Sequence, residues 1–353
     1  MRHISSLLQG LGLARSLSVG KERKGSSGGG GGGYGTAAAE LRRSGTLCGE
    51  GSETFAAVCS RRGEKGINQD CCIVCEGFGC EENSIFCGIF DGHGQWGHYV
   101  AKAVRESLPP ALLCRWQEAV ALASLIDGGE KKLCDCQFNL WRQSYLAACA
   151  AVDEELRGSR RLDAVHSGCT ALSVVKQGDL MVVANVGDSR AVLGTASDDD
   201  GGGGVAAVQL TVDFKPNLPH EEERIRQCNG RVHCLADEPG VHRVWLPDRE
   251  SPGLAMSRAF GDYCVKDYGV ISAPDVTQWR ITSRDQFVIL ATDGVWDVVS
   301  NEEAVQIVAA APDREKAAKR LVEFAHRAWR RKRRGIAVDD CSAICLFFHS
   351  PPS

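Results

Sequence analysis

Four aspartates lie where predicted β-strands begin or end, and carboxylates in such positions can bind metal ions. They are Asp91, Asp188, Asp293 and Asp339. A single aspartate after a strand usually marks only a turn. Four such acids brought together by a fold would repel one another unless cations lay between them. The pattern therefore predicts a cation site that several strand ends build together.

Oxygen ligands of this kind indicate a hard divalent cation. Magnesium and manganese prefer carboxylate and carbonyl oxygens, whereas zinc sites in proteins are usually built from cysteine and histidine. Gly92 and Gly294 directly follow two of the aspartates, and a glycine lets its backbone carbonyl approach an ion closely. Two such ions can lower the pKa of a water between them and hold a phosphoryl oxygen. These residues therefore favour metal-assisted hydrolysis.

The cysteines indicate buried thiols more than a zinc site. The chain has 17 of them, an odd number that cannot pair completely within one chain. Residues 1–20 lack the long apolar run of a secretory signal, so we expect reduced thiols in a reducing compartment. The tightest group has no second cysteine or histidine pair at a distance typical of zinc sites, and it overlaps a strand-like run. It consists of Cys71, Cys72, Cys75 and Cys80.

The elements that must position the acids are predicted from apolar patterning. The predicted strands are residues 84–90, 170–175, 180–186, 191–193, 287–291 and 341–348. The predicted helices are residues 98–108, 140–156, 221–227, 302–311 and 314–329. Ser300 and Glu303 form a predicted capping box at the start of the fourth helix. Hairpin-linked strands with helices before, between and after them predict antiparallel sheets packed against helices.

Composition excludes several classes of protein. The 353 residues carry 41 Lys and Arg against 45 Asp and Glu, a formal net charge of −4. That balance argues against a protein held on nucleic acid or an anionic membrane by its overall charge. The apolar content of 43% is enough for a large core. No run approaches the roughly 18 apolar residues of a membrane span, so we expect no membrane partner.

The first 50 residues differ from the rest of the chain. They include the glycine run 28–33 and many serines, a composition that cannot offset its ordering entropy by burial. We predict a disordered Gly/Ser-rich tail over residues 1–50 and one folded domain over residues 51–350. We expect a cytoplasmic or nuclear protein. The basic, serine-containing first 20 residues leave organelle targeting as an alternative.

Six ordered motifs resemble those of the metal-dependent serine/threonine protein phosphatases of type 2C, most closely the plant members. The motifs are GEKGINQD at 63–70, FDGHG at 90–94, NVGDSR at 185–190, PGLAMSRAFGD at 252–262, ATDGVWD at 291–297 and DDCS at 339–342. They cover roughly residues 55 to 348 in the order typical of the family. The resemblance implies an α+β fold with two antiparallel β-sheets packed as a sandwich and helices on both outer faces, a four-layer αββα arrangement.

The same resemblance implies roles for the acids at one edge of that sandwich. Asp91 would bridge two Mg²⁺ or Mn²⁺ ions, and the carbonyl of Gly92 would complete the coordination of one of them. Asp293 and Asp339 would bind the other ion. Asp70 would hold metal-bound water.

Four further positions take roles by resemblance. Asp188 and Asp297 are similar to a pair that can hold a weaker third ion. His93 would protonate the leaving alcohol, a role that suits a side chain titrating near neutral pH. Lys65 would bind the substrate phosphate, although the family often has arginine there, and lysine lacks its bidentate fork. Asp188 could instead cap the turn that follows its strand.

The predicted function is removal of phosphate from phosphoserine and phosphothreonine in proteins. A water between two metal ions would attack phosphorus in line, with no phospho-enzyme intermediate. We expect a monomer whose partners are phosphoprotein substrates. One alternative is a catalytically weak scaffold that binds phosphoproteins, and another is a two-metal nuclease, which the net negative charge argues against.

A basic run near the end of the chain has no role in that scheme. Residues 327–334 read Arg-Ala-Trp-Arg-Arg-Lys-Arg-Arg. The run could be a nuclear localisation signal or a nucleic-acid-binding patch. It could equally be a solvated helix end whose positive charges lie at the negative end of the helix dipole.

Overall fold

Two six-stranded antiparallel sheets lie at the centre of the structure. The structure is a computed structural model, and it describes residues 15–19, 44–46, 54–79, 84–127, 130–197 and 204–349. The strands are β1 (Arg15–Val19), β2 (Ser44–Thr46), β3 (Phe55–Arg61), β4 (Cys71–Glu76), β5 (Ser84–Phe90), β6 (Gly92–Gly94), β7 (Ser167–Cys169), β8 (Ala171–Gln177), β9 (Leu180–Val186), β10 (Arg190–Ala196), β11 (Val205–Gln209), β12 (Arg231–His233), β13 (Arg243–Trp245), β14 (Pro252–Leu254), β15 (Phe260–Gly261), β16 (Asp275–Arg280), β17 (Asp285–Ala291) and β18 (Cys341–Phe347). The helices are α1 (Gly97–Asp127), α2 (Glu130–Arg157), α3 (Pro219–Gln227), α4 (Tyr263–Lys266), α5 (Asp293–Trp296), α6 (Asn301–Ala309) and α7 (Ala317–Lys332).

The two sheets pack face to face because their strands are apolar on both sides. The first sheet has the order β1-β4-β5-β8-β9-β16, and the second has the order β11-β10-β17-β18-β3-β2. Along β17, Val288 and Leu290 join the core between the sheets, whereas Phe287 and Ile289 join the core against the helices. Each such side chain contributes roughly 1.5–3 kcal/mol on burial. Burial on both faces explains why these strands are continuously apolar in sequence.

Helices cover both outer faces, which confirms the predicted four-layer αββα sandwich. On the first sheet, Val100 and Leu108 of α1 share a core with Phe86 and Phe90 of β5. On the second sheet, α6 and α7 pack over β17 and β18. An apolar stripe of α7 is buried against that sheet. It consists of Ala318, Leu321, Ala325 and Ala328.

Most predicted elements are present, with the largest difference in α1. The predicted helix over residues 98–108 ends directly before Pro109 and Pro110. The helix instead continues to Asp127 with both prolines inside it. Leu112 and Leu113 beyond the prolines are buried in the core, so packing of that face outweighs the propensity of proline to end a helix.

The predicted capping box of α6 is confirmed. The side chain of Ser300 accepts a hydrogen bond from the backbone N–H of Glu303 at 3.1 Å, and the Glu303 carboxylate accepts one from the N–H of Ser300 at 3.0 Å. The sequence analysis missed the strands β3, β11 and β16 and several short elements. The short elements include the small sheets β12-β13-β14 and β15-β7-β6.

The predicted tail over residues 1–50 lies mostly outside the described residues. Two short pieces of it are strands, where the sequence predicted disorder: β1 pairs with β4, and β2 pairs with β3. Cys80 of the cysteine group also lies outside the described residues, and Cys71, Cys72 and Cys75 are buried on β4. In the described part of the chain, no helix is both long enough and apolar enough to span a membrane.

Candidate active site

The pairing of the second sheet brings three acidic strand ends side by side. β17 pairs antiparallel with β10 on one side and with β18 on the other. The end of β17 therefore lies beside the starts of both neighbours. Asp188 precedes β10, Asp293 follows β17, and Asp339 precedes β18. All three predicted ligand positions thus lie at one edge of this sheet.

The first sheet brings two more acids to the same edge. Cys71 at the start of β4 pairs with Phe90 at the end of β5, so Asp70 and Asp91 lie at adjacent strand ends. Thr292, at the end of β17 in the other sheet, donates a hydrogen bond to the Asp70 carboxylate at 3.0 Å. This bond connects the acidic ends of the two sheets. We call the whole set the acid edge, which consists of Asp70, Asp91, Asp188, Asp293, Asp297 and Asp339.

The carboxylates of the acid edge destabilise one another when charged. Burial raises the pKa of Asp91 well above its ordinary range, and repulsion from Asp70 and Asp293 adds to this shift. Burial also raises the pKa of Asp293 strongly, followed by repulsion from Asp188 and Asp339. Burial raises the pKa of Asp70 to about 7. Nearby cations would relieve this cost.

The donor set of the acid edge fits hard divalent cations in its chemistry. Its ligating atoms are carboxylate oxygens, and two of these, Asp70 Oδ1 and Asp188 Oδ1, are buried without a hydrogen-bond partner. Over the described ranges, no three or more carboxylate, imidazole or thiol side chains are already arranged as a metal-binding group. Lysine ammonium groups contact two of the acids instead. The acids are thus electrostatic neighbours without forming a closed coordination sphere.

Lys65 is one of the two lysines. Its Nζ lies 2.5 Å from Oδ2 of Asp339, and its side chain is 52% exposed. Burial alone would lower the pKa of Lys65, but attraction from Asp339 outweighs it, so the pKa is raised. A charged, half-exposed ammonium group beside the acid edge can reach an incoming phosphate, as the sequence predicts for this residue.

Lys215 is the second lysine, and the sequence analysis missed it. Its ammonium group forms an ion pair with the buried carboxylate of Asp188. Burial alone would lower the pKa of Lys215, but Asp188 and Asp293 raise it strongly. Asp188 therefore already has a cationic partner in the protein. No sequence signal links two residues that meet only through the tertiary fold.

His93 is held by a buried carboxylate that the sequence analysis did not single out. His93 Nε2 lies 2.6 Å from Oδ2 of Asp262, whose side chain is 5% exposed. Burial alone would lower the pKa of His93, but attraction from Asp262 outweighs it and the pKa is raised. The small sheet β15-β7-β6 brings the two together, since Gly168 of β7 pairs with both His93 and Gly261. The imidazole is therefore fixed in orientation and favoured in its protonated form.

Asp340 positions the loop that carries Lys65 and Asp70. Its carboxylate accepts hydrogen bonds from the backbone N–H of Gly63 at 2.7 Å and of Gln69 at 2.8 Å. The sequence analysis noted the Asp-Asp pair but gave a role only to Asp339. Adjacent residues at a strand start point to opposite sides, so one acid can face the site while the other binds the loop.

Glycine is required beside two of the acids. A Cβ atom on Gly92 would lie 2.4 Å from the carbonyl oxygen of Gly97, and one on Gly294 would lie 1.9 Å from the carbonyl oxygen of Asp340. Both contacts are closer than atoms can approach. Each Asp-Gly pair therefore allows the backbone of another segment to pack directly against the acid edge.

Comparison with known sequences identifies close relatives. The family model described as Protein phosphatase 2C matches residues 56–332. Probable protein phosphatase 2C 48 of Oryza sativa subsp. japonica is 85% identical over 355 residues, which cover 100% of both chains. Probable protein phosphatase 2C 34 of Arabidopsis thaliana is 58% identical over 362 residues, which cover 100% of this chain and 99% of that one.

A solved structure shares the fold. The crystal structure of serine-threonine phosphatase 2C from Toxoplasma gondii has a TM-score of 0.75 and 26% sequence identity, and the match covers 86% of this chain and 98% of that chain. The antiparallel sheets and their helical layers are therefore those of a known phosphatase architecture.

Proposed function

The chain belongs to the protein phosphatase 2C family, and on that premise we propose that the acid edge is its active site. Membership makes the protein a metal-dependent serine/threonine protein phosphatase that acts on phosphoproteins. The observation that carries the assignment of the site is the meeting of acidic strand ends from both sheets at one edge, where Thr292 of the second sheet donates a hydrogen bond to Asp70 of the first. Burial and repulsion between these acids raise the pKa of Asp91 and Asp293. Buried carboxylates that disfavour their own charge are unusual unless a cation or a reaction uses them.

The proposed metal ligands are the acids that share this edge. Asp70, Asp91, Asp293 and Asp339, with the carbonyl of Gly92, would hold two Mg²⁺ or Mn²⁺ ions. Asp188 and Asp297 would hold a weaker third ion, in competition with the ammonium group of Lys215 on Asp188. When bound, such ions acidify water and neutralise charge on a phosphoryl group.

The other two residues act on the substrate. Lys65 would bind the phosphate through its ammonium group, which stands at the surface beside Asp339. His93 would give a proton to the serine or threonine oxygen as it leaves, and Asp262 would keep the imidazole oriented and protonated. These two groups act on phosphate binding and on departure of the alcohol, respectively.

The scaffold alternative is weaker because all the principal metal positions are acidic in this chain. We also propose that residues 51–350 form the catalytic domain and that the protein acts as a monomer. Its partners would be phosphoproteins and not nucleic acid, as the net charge of −4 favours. The described cysteines form no disulfide with one another, which fits the cytoplasm or the nucleus.

The test is hydrolysis of a phosphothreonine peptide by the full chain with and without Mn²⁺. We expect phosphate release that requires the metal and that falls about a thousandfold in Asp293→Asn, the loss of roughly 4 kcal/mol of transition-state stabilisation. Asp179→Asn is the matched control, because Asp179 is exposed in the turn between β8 and β9, at the opposite end of β9 from Asp188. Metal-independent turnover, or full activity of Asp293→Asn, would refute this site.

A further inference from the structure

A basic cleft lies beside the acid edge, between the end of α7 and the segment that leads into β18. Its volume is about 490 Å³. The residues that line it are Glu64, Arg330, Arg333, Arg334, Gly335, Ile336, Ala337 and Val338. The predicted basic run therefore forms one wall of a concave surface. The run lies at the end of a folded helix. A helix end was one of the three interpretations of this run in the sequence analysis.

The turn after α7 holds these arginines in place. The backbone N–H of Arg333 donates to the carbonyl of Trp329 at 2.9 Å, which ends the helix. Gly335 has a φ of 84°, a conformation that favours glycine, and the N–H of Ile336 donates to the carbonyl of Arg333 at 3.1 Å. The positive charges also lie at the negative end of the helix dipole. The basic cleft is thus an ordered surface.

The basic cleft keeps an excess of positive charge. Glu64 is the only acid that lines it, and its carboxylate accepts a hydrogen bond from Arg330 at 3.0 Å. Arg333 makes only a long contact of 3.5 Å with the carbonyl oxygen of Asp297. Arg334 has no ion pair within the part of the chain that is described. Neither guanidinium group forms an ion pair with a carboxylate in the described part of the chain, although Arg333 is close enough to Asp297 to counter part of the rise that burial causes in the pKa of that carboxyl.

Two of the segments that line the basic cleft lead directly into the proposed phosphate site. Glu64 donates its backbone N–H to the carbonyl of Val338 at 2.7 Å. The next residue along each of these two segments is Lys65 and Asp339, whose side chains form the ion pair at the acid edge. A peptide whose phosphorylated residue reaches Lys65 would thus pass the arginines within a few residues, at about 3.3 Å per extended residue.

We propose that the basic cleft binds acidic side chains that flank the phosphorylated residue of a phosphoprotein substrate. This proposal rests on the proposed function of the acid edge and adds a preference in substrate sequence. Arg333 and Arg334 supply the planar donors that suit carboxylates. A nucleic-acid partner is less suitable, because the chain as a whole is negatively charged.

The test compares three phosphothreonine peptides whose flanking residues are acidic, neutral or basic. Full-length protein with Mn²⁺ should hydrolyse the acidic peptide with a kcat/KM roughly three- to tenfold above that of the neutral one, mainly through KM. The preference should shrink as salt rises from 50 to 500 mM, because salt screens exposed charges. In Arg333→Glu/Arg334→Glu the preference should reverse in favour of the basic peptide.

Each protein serves as its own reference, since the measured quantity is the ratio between peptides. Lys319→Glu/Arg320→Glu is the matched control. It makes the same change of charge on the same helix, about 20 Å away at 1.5 Å per residue, and it should keep the wild-type preference. Arg333→Lys/Arg334→Lys retains the positive charge and should keep most of the preference. This variant distinguishes an effect of charge from an effect of changing these two side chains on folding. If the charge-reversed variant does not fold, the salt dependence of the wild-type ratio still decides.

The outcomes separate the basic cleft from the acid edge. Equal hydrolysis of all three peptides would overturn the proposal and leave the phosphatase site intact. Hydrolysis of none of them would refute the proposed function itself. Binding of duplex DNA or of anionic vesicles through Arg333 and Arg334, with no preference among peptides, would also overturn it.

Discussion

The buried carboxylates around Glu221 and those along the acid edge differ in how their charge is balanced. Glu221 accepts hydrogen bonds from Arg224 at 2.7 and 2.8 Å, from Arg258 at 2.7 and 3.0 Å, and from Ser257 at 2.5 Å. Burial alone would raise the pKa of Glu221, but these hydrogen bonds outweigh it and lower the pKa to about 2. This cluster satisfies its charge entirely with protein groups.

The acid edge does not satisfy its charge in this way. Asp91 and Asp293 have strongly raised pKa values, and Asp70 keeps a buried oxygen without a partner. Its negative charge is partly offset by Lys215 on Asp188, by Lys65 on Asp339 and by Arg333 near Asp297. The Glu221 cluster is complete as it stands, whereas the acid edge still lacks positive charge. That difference distinguishes a structural ion cluster from a site that binds cations and substrate.

The largest expected effect on stability concerns the complete cluster. Glu221→Gln leaves the guanidinium groups of Arg224 and Arg258 partly buried without a counter-charge, so the free energy of unfolding should fall by about 3–5 kcal/mol. Glu222→Gln is the matched control, since Glu222 pairs with Arg226, whose side chain is 65% exposed. That change should cost less than about 1 kcal/mol. Urea unfolding measures both, and equal losses would remove the contrast between the two regions.

The next expected effect is a pH dependence of stability to which the acid edge contributes most. With chelator present, the raised pKa of Asp70, about 7, means that the folded state binds a proton more tightly than the unfolded state between about pH 4 and 7. The free energy of unfolding should therefore fall as the pH rises through this window, by about 2 kcal/mol. The lowered pKa of Glu221 changes the free energy of unfolding only below about pH 4.5. There the free energy of unfolding rises with pH, which is the opposite direction. Urea unfolding at pH 5, 6 and 7 tests this.

Asp70→Asn should flatten that dependence, because it removes one of the titrating groups. Asp179→Asn, in an exposed turn, should leave it unchanged. A metal-free protein that becomes more stable as the pH rises from 5 to 7 would contradict the description of the acid edge.

The smallest expected effect concerns phosphate binding at the rim of the acid edge. Lys65→Arg adds the bidentate fork that lysine lacks, so KM for a phosphopeptide should fall about threefold with kcat nearly constant. Lys65→Met should raise KM at least about tenfold, because the ion-paired ammonium group is lost. Steady-state kinetics at saturating Mn²⁺ measure KM and kcat separately. An unchanged KM in Lys65→Met would exclude Lys65 from phosphate binding.

Much of the fold could be predicted because its strands carry a strong local signal. Segments such as β5, β9 and β18 are mostly apolar and are buried over their whole length, and turns with aspartate and glycine bound several of them. The positions of Asp91, Asp293 and Asp339 at strand ends follow directly from these boundaries. The predicted end of α1 was wrong. Burial of the residues beyond Pro109 and Pro110 determines how far this helix extends, and the local sequence pattern does not show that burial.

The partners of the site residues could not be predicted in the same way. Asp262 lies 169 residues from His93, and Asp340 lies 277 residues from Gly63. Lys215 meets Asp188 only after the strands have paired. A sequence pattern reports which residue types lie at an element's end, whereas contacts between distant segments depend on packing of the whole sandwich.

Binding of Mn²⁺ to the full-length protein tests the central claim most directly. Titration followed by the electron paramagnetic resonance signal of free Mn²⁺ should show two tightly bound ions and a weaker third. Asp91→Asn should lose the tight ions, and Asp179→Asn should retain them. Wild-type protein that binds no ion, or Asp91→Asn that still binds two tightly, would contradict the account of the acid edge.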